Sequence, residues 1–450
     1  LGISTAIVYH LYGALARKDE AEIASLMNLY RKAYHVFAVL VFAAGMAVLP
    51  FIHLFMKNNS YSLSYIRVLY AMWLVRTVLS YLLTYRKSLL IADQKEYIAS
   101  ITGLILNVVS YLAIILLVTW EQNYLLALGI GTVTEVVLNI WISWYVEQKY
   151  PFLRQRRKEK STSSLTKRIV RDLKSLFISR ISEKMLYCTD NLIISGFIGV
   201  GTVGRYANYC MITQAISNIL TILANTIQPT VGDYFTEKNR QRNYEILRQL
   251  TFGFFCIASV VSVGLFSLIT PFVRDIWLGP SYELGWGITV FCIVVLLVRI
   301  MGLPLSLVMG VTGLFEKEKN VGASSALLNL IVSLALVKPY GMAGVLLGTL
   351  LSYLLQILYR YIIYFRDFLE MPGEALRYAQ DIGEYLAVIA GEVLLMQKIV
   401  PLIYGAGGML LFCVCFLLCI AIPLLLDLVI FGRGWRLQSI VTMVKGMRKA

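Results

Sequence analysis

The sequence predicts an all-α integral membrane protein: two pseudo-symmetric six-helix bundles followed by two extra C-terminal transmembrane helices. Three observations carry this. Hydrophobic residues make up 58% of the 450 positions, with a mean hydropathy of +0.71, outside the range of water-soluble chains. Apolar stretches of about 20 residues, the length of one bilayer crossing, recur along the whole chain. The chain also matches itself at a shift of 222 residues.

Taken in order, apolar spans fall near 34–56, 64–85, 97–118, 124–146, 175–198, 204–229, 249–272, 285–311, 320–337, 341–359, 383–403 and 407–431. An apolar piece at 1–15 meets the polar run Arg17–Glu22 too soon to be a full crossing. Thirty-one of the 41 Lys and Arg residues fall in alternate loops on one side of these spans. By the positive-inside bias that side is cytoplasmic, the C-terminus included. The net charge of +15 therefore reflects topology and attraction to anionic membrane lipids rather than nucleic acid.

The basic loop 149–174 is the sharpest change of composition and divides the chain. The expected organisation is an N-terminal transmembrane bundle (1–148), a basic cytoplasmic linker (149–174), a second bundle (175–366), and two additional helices with a basic tail (367–450). The internal repeat supports it. Lys95, Glu96 and Asn107 fall over Lys317, Glu318 and Asn329, while Leu74-Val75-Arg76 falls over Leu297-Val298-Arg299. Gly131-Thr132 falls on Gly348-Thr349 once a shorter outer loop is allowed. The same shift sets Leu1 opposite a position near Thr221, so about fifty residues, the first helix and most of the second, are expected to precede this chain. An even number of crossings per half makes the halves parallel repeats about an axis along the membrane normal, with a central cleft and alternating access as the expected consequence.

No phosphate-binding loop, nucleophile elbow or zinc-protease motif occurs, so the expectation is a transporter and not an enzyme, with no cofactor or metal. The seven cysteines lie in apolar segments without zinc-ligand spacing, and His10, His35 and His53 are scattered.

The residues expected to carry chemistry are charged groups at membrane depth, which are costly there and normally face a bundle interior or a water-filled cavity. Phe177–Phe197 gathers Arg180, Glu183, Lys184, Tyr187, Asp190 and Asn191 onto about a third of a helix circumference. Arg76 and Arg299 lie near the middle of their spans at equivalent positions of the two halves. Guanidinium forks suit phosphate oxygens, so Arg76, Arg299, Arg180 and Lys184 are candidate cavity anchors for an anionic group. Tyr187 and Asn191 are candidates for hydrogen bonds to sugar hydroxyls. Glu183 and Asp190 are candidates for proton or sodium coupling. Packing contacts and an Arg180–Glu183 pair on one helix remain the competing explanations. Counted this way, four intramembrane bases face two acids.

The opening LGISTAIVYHLYGALARKDEAEI, the segment TDNLIISGFIGVGTVGRYANYCMI and the repeated cytoplasmic turn with its following helix resemble polysaccharide flippases of the MOP (multidrug, oligosaccharidyl-lipid and polysaccharide) exporter superfamily, of the Wzx or PST type. The resemblance runs over essentially the whole chain. It implies a V-shaped pair of bundles that moves an undecaprenyl-diphosphate-linked glycan from the inner to the outer leaflet of the bacterial cytoplasmic (plasma) membrane for surface polysaccharide export, with the polysaccharide polymerase machinery as a partner. Two alternatives stay open: a multidrug/cation antiporter of the same fold, which an excess of intramembrane acid over base would favour, and a non-transporting envelope-assembly scaffold.

Overall fold

The computed structural model describes residues 11–12, 14–15, 17–57, 61–154, 188–235, 239–312, 314–405 and 407–432. The chain forms two compact units that divide between Ile181 and Ser182. Every described element is helical. Ten helices among the described residues are long and apolar enough to cross a membrane, so this is a multi-pass membrane protein.

In the first unit, α1 (Glu20–Val48) starts at Asp19, whose side chain accepts the Glu22 backbone N–H. That bond satisfies one of the donors a helix start leaves free. The chain continues through α2 (Leu63–Thr84), capped by Ser62, the short α3 (Lys87–Ala92), α4 (Glu96–Glu121) and α5 (Tyr124–Lys149). Asn123 caps α5 with its side-chain oxygen, and Gln122 before it takes the left-handed conformation that turns the chain. α1 packs on α2, and both α2 and α4 pack on α5. Tyr30, Leu89, Leu90 and Val146 are fully buried where the basic loops gather. Along α4, Ile101, Leu104, Val108, Leu112 and Ile115 form an exposed apolar stripe at helical spacing, as expected of a face solvated by hydrocarbon.

The second unit comprises α6 (188–197), α7 (Val200–Phe235), α8 (Arg240–Pro271), α9 (Trp286–Val311), α10 (Phe315–Tyr340), α11 (Met342–Ile362), α12 (Pro372–Tyr404) and α13 (Met409–Phe431). π-helical turns follow α8 and α11 at Phe272–Trp277 and Ile363–Leu369. α9 packs on α7, α8 and α11, α10 packs on α11, and α12 and α13 both pack on α8. The α10–α11 hairpin is tight. Gly341 turns it at φ +57°, and a Cβ on Gly348 would overlap the Ser333 hydroxyl and sit 3.1 and 3.2 Å from the Ser333 N and the Asn329 backbone carbonyl, so a side chain there would force α10 to shift.

The repeat reappears as packing within each unit. α2 and α4 meet α5 in the first, and α9 and α10 meet α11 in the second, matching the aligned pairs Arg76/Arg299, Asn107/Asn329 and Thr132/Thr349. Two spans depart from the apolar pattern. The 64–85 span forms α2 but carries Arg67 and Arg76 and is not among the ten. Of the 175–198 span, only 188–197 lies within the described residues. α8 and α12 begin well before their apolar runs at 249 and 383. Hydropathy marks only the stretch matched to hydrocarbon, whereas these helices continue as polar turns. There the Arg248 guanidinium bonds both Asp381 oxygens, at 2.5 and 2.9 Å.

Candidate functional site

The segment Thr189–Phe197 reads TDNLIISGF and forms α6 up to Phe197. The Ile198 and Gly199 N–H groups both close on the Ile194 carbonyl at 2.9 Å. Gly199, at φ +141°, then reverses the chain into α7, a conformation other residues rarely adopt. This short helix carries Asp190 into the interior of its unit, where it is 4% exposed.

There Asp190 Oδ2 accepts a hydrogen bond from Thr349 Oγ1 of α11 at 2.6 Å, and Oδ1 accepts one from Asn329 Nδ2 of α10 at 3.3 Å. Asn329 Nδ2 also reaches Thr349 Oγ1 at 2.9 Å, and the Ser333 hydroxyl donates to the Val345 carbonyl at 3.2 Å. Tyr206 and Cys210 of α7 and Cys292 of α9 lie close enough to feel the Asp190 charge. Asp190 has no ion-pair partner among the described residues, so two neutral donors carry the compensation for its buried charge. The Asn329 side-chain oxygen is buried and, among the described residues, without a hydrogen-bond partner. Carboxylate, amide and hydroxyl oxygens at one point are hard donors, suited to a proton or a small hard cation. Among the described residues no three His, Cys, Asp or Glu side chains gather as a metal site would require.

Arg76, on α2, gives its Nε to Glu135 Oε2 of α5 at 2.6 Å, with the two side chains 28% and 32% exposed. Its guanidinium also lies over the Trp73 ring, 5.1 Å from the centroid. Gly131 lies one turn before Glu135, and a Cβ there would sit 3.3 Å from Arg76 Nη1, so the missing side chain leaves the arginine its room. Arg299, on α9, lies over the Tyr353 ring of α11 at 5.5 Å. Each arginine thus reaches the corresponding helix of its own unit. Asn191 is exposed beside the buried Asp190, so the two do not share one polar surface. Arg180, Glu183, Lys184 and Tyr187 lie outside the described residues.

Sequence reasoning passed over several partners. Asn329 and Thr349 carry a signal, since both are positions where the halves match, but the match alone points to topology. Glu135, Glu392 and Asp427 also stand within apolar spans. The count of four bases against two acids is therefore corrected, and charge balance no longer argues against a cation as cargo.

A family model described as "Polysaccharide biosynthesis protein" matches residues 7–235. No curated protein matches the chain significantly. Among solved structures, "Lipid II flippase MurJ, inward closed conformation" superposes with a TM-score of 0.64 at 14% identity, over 96% of this chain and 90% of that one. A multidrug resistance MATE family transporter of the MOP superfamily, in an outward-facing conformation, gives a TM-score of 0.52 at 14% identity over 82% and 83%. A MOP superfamily transporter from Pyrococcus furiosus gives 0.53 at 16% identity over 82% and 84%. The fold is that of the MOP transporters.

Proposed function

Because the chain belongs to the polysaccharide biosynthesis protein family, its model matching residues 7–235, we propose that it is a flippase. Its cargo would be an undecaprenyl-diphosphate-linked oligosaccharide, carried from the inner to the outer leaflet of the plasma membrane for surface polysaccharide export. The observation that carries the reading is the family match, joined to a fold shared along 96% of the chain with the lipid II flippase MurJ.

In this reading Arg76 and Arg299 supply cationic forks at equivalent positions of the two repeated units, and the diphosphate competes with Glu135 for Arg76. Arg180 and Lys184 extend the cationic set, and Tyr187 and Asn191 meet sugar hydroxyls. Asp190, cradled by Asn329 and Thr349, takes the coupling proton or sodium ion, with Glu183 as a second candidate. Alternation between inward- and outward-open states moves the head group, and the prenyl tail stays in lipid.

The test is reconstitution in proteoliposomes with a fluorescent undecaprenyl-diphosphate oligosaccharide, following arrival in the opposite leaflet by enzymatic or quencher access. Translocation lost in Arg76→Gln and Arg299→Gln, with reconstitution intact, is the expected result. No translocation by the wild-type protein of any lipid-linked glycan tried would sink the reading. A second reading, cation antiport, is favoured by the buried carboxyls Asp190, Glu392 and Asp427. Uptake of organic cations driven by a pH gradient in the same vesicles would select it.

A further inference from the structure

Away from Arg76, Asp190 and Arg299, a second set of buried acids lies where α12 and α13 pack on α8. Glu392 of α12 is 3% exposed and Asp427 of α13 is 4% exposed. Ser259 of α8, fully buried, donates its hydroxyl to Glu392 Oε2 at 2.6 Å. Among the described residues the other Glu392 oxygen and both Asp427 oxygens are buried without a hydrogen bond of good geometry, the Ser259 hydroxyl also lying close to Asp427, and neither carboxyl forms an ion pair. The two carboxyls interact electrostatically with each other and with Cys256, about one turn before Ser259 on α8.

Aromatic rings close one end of the cluster. Tyr385 of α12 stacks on Phe255 of α8 at 4.4 Å, and Phe431, one turn beyond Asp427, packs edge-on against both at 5.5 and 5.7 Å. Cys256, Tyr385, Glu392 and Asp427 are thus the titratable groups that α8, α12 and α13 bring to this point. Among the described residues these four are neutral or anionic, and Arg248 of α8, a cation whose charge reaches Tyr385, is paired with Asp381.

Two bare carboxylates cannot persist side by side out of water. Each loses its hydration on burial, and their mutual repulsion disfavours the doubly ionised pair. A proton shared between the carboxyls removes that repulsion, and the carboxyl oxygens with the serine hydroxyl equally offer hard oxygen ligands to a small cation. We propose that Glu392, Asp427 and Ser259 form a cation site in the C-terminal helix pair, filled by a shared proton or by sodium, that fastens α12 and α13 to α8. It is separate from the coupling assigned to Asp190 and does not depend on it.

The test uses the full chain in lipid nanodiscs carrying Asp190→Asn, so that the other acid cannot answer. Thermal unfolding is followed in NaCl against choline chloride at pH 6 and 8, and protonated carboxyl is followed by infrared difference spectroscopy. Sodium as occupant gives a saturating rise in Tm with Na+ at pH 8. A shared proton gives no sodium response and a protonated-carboxyl band that survives at pH 8. Either signal is expected to vanish in the isosteric Glu392→Gln/Asp427→Asn pair. If that pair does not fold, Ser259→Ala, which removes only the serine hydroxyl, is expected to weaken the sodium response or shift the band. A parent protein showing neither signal overturns the site. So does a signal that persists unchanged in the carboxyl pair or, where the pair does not fold, in Ser259→Ala.

Discussion

Exchanging Arg76 and Glu135 separates a helix-packing charge pair from a substrate anchor. Removing one member of a fully buried ion pair costs about 3–5 kcal/mol, because the other charge is left stranded. Here the pair is only part-buried, the side chains 28% and 32% exposed, so less than that full penalty, about 1–2 kcal/mol, is expected. Arg76→Gln and Glu135→Gln are each expected to destabilise the purified protein by that amount, read as lower midpoints of thermal unfolding in one detergent. The exchanged variant, Arg76→Glu with Glu135→Arg, restores the pair across α2 and α5 and recovers most of the loss. Transport is expected to divide differently. Glu135→Gln keeps translocation, since it frees the guanidinium, while Arg76→Gln and the exchanged variant lose it, since the cation has left its place on α2. Recovery of both stability and translocation in the exchanged variant would refute the anchor and leave the pair as packing alone.

Three further outcomes are expected. Thr349→Val removes the hydroxyl that bonds Asp190 Oδ2, a bond to a charged group worth about 1.5–3 kcal/mol. The apparent affinity for the coupling ion in vesicle transport should fall at least about tenfold, with Thr349→Ser near wild type, and unchanged ion dependence in Thr349→Val would remove the cradle from coupling. Arg248→Ala leaves Asp381, 6% exposed, without its bidentate partner, and a loss of about 2–4 kcal/mol in unfolding stability is expected; a loss under half a kcal/mol would contradict the pairing. In the loop between α3 and α4, partial burial opposes ionisation of Asp93, but hydrogen bonds from Lys95 and Tyr150, with the charges of Lys95 and Lys149, hold its carboxyl below the usual range. A depressed folded-state pKa contributes stability that is present above the unfolded value near ~3.9 and is lost as pH falls through the folded value. Asp93→Asn should therefore flatten the stability profile below about pH 4, and an unaltered acid limb would show that the contact is absent in solution.

Legibility followed the physics of each feature. Helices matched to the bilayer were readable because hydrocarbon demands about 20 apolar residues in a row, and ten described helices fall on such runs. The repeat was readable because matching residues recur at matching helix positions, as at Arg76 and Arg299. Helical wheels did less well around Asp190. They put Asp190 and Asn191 on one polar face, yet one is buried and the other exposed, since burial depends on which helices cover a face. The lone acids Glu135, Glu392 and Asp427 were diluted by apolar neighbours in any hydropathy window.

The sequence by itself determined that this chain lives in a membrane and that it is helical throughout its apolar spans, because both follow from composition and the length of its apolar runs. Which polar side chains meet was decided only by tertiary structure. Asp190, Asn329 and Thr349 come from three helices up to 159 positions apart, and Ser259, Glu392 and Asp427 from three others. A buried polar group takes whatever partner packing presents within hydrogen-bond reach, and no local pattern encodes a contact across such a distance.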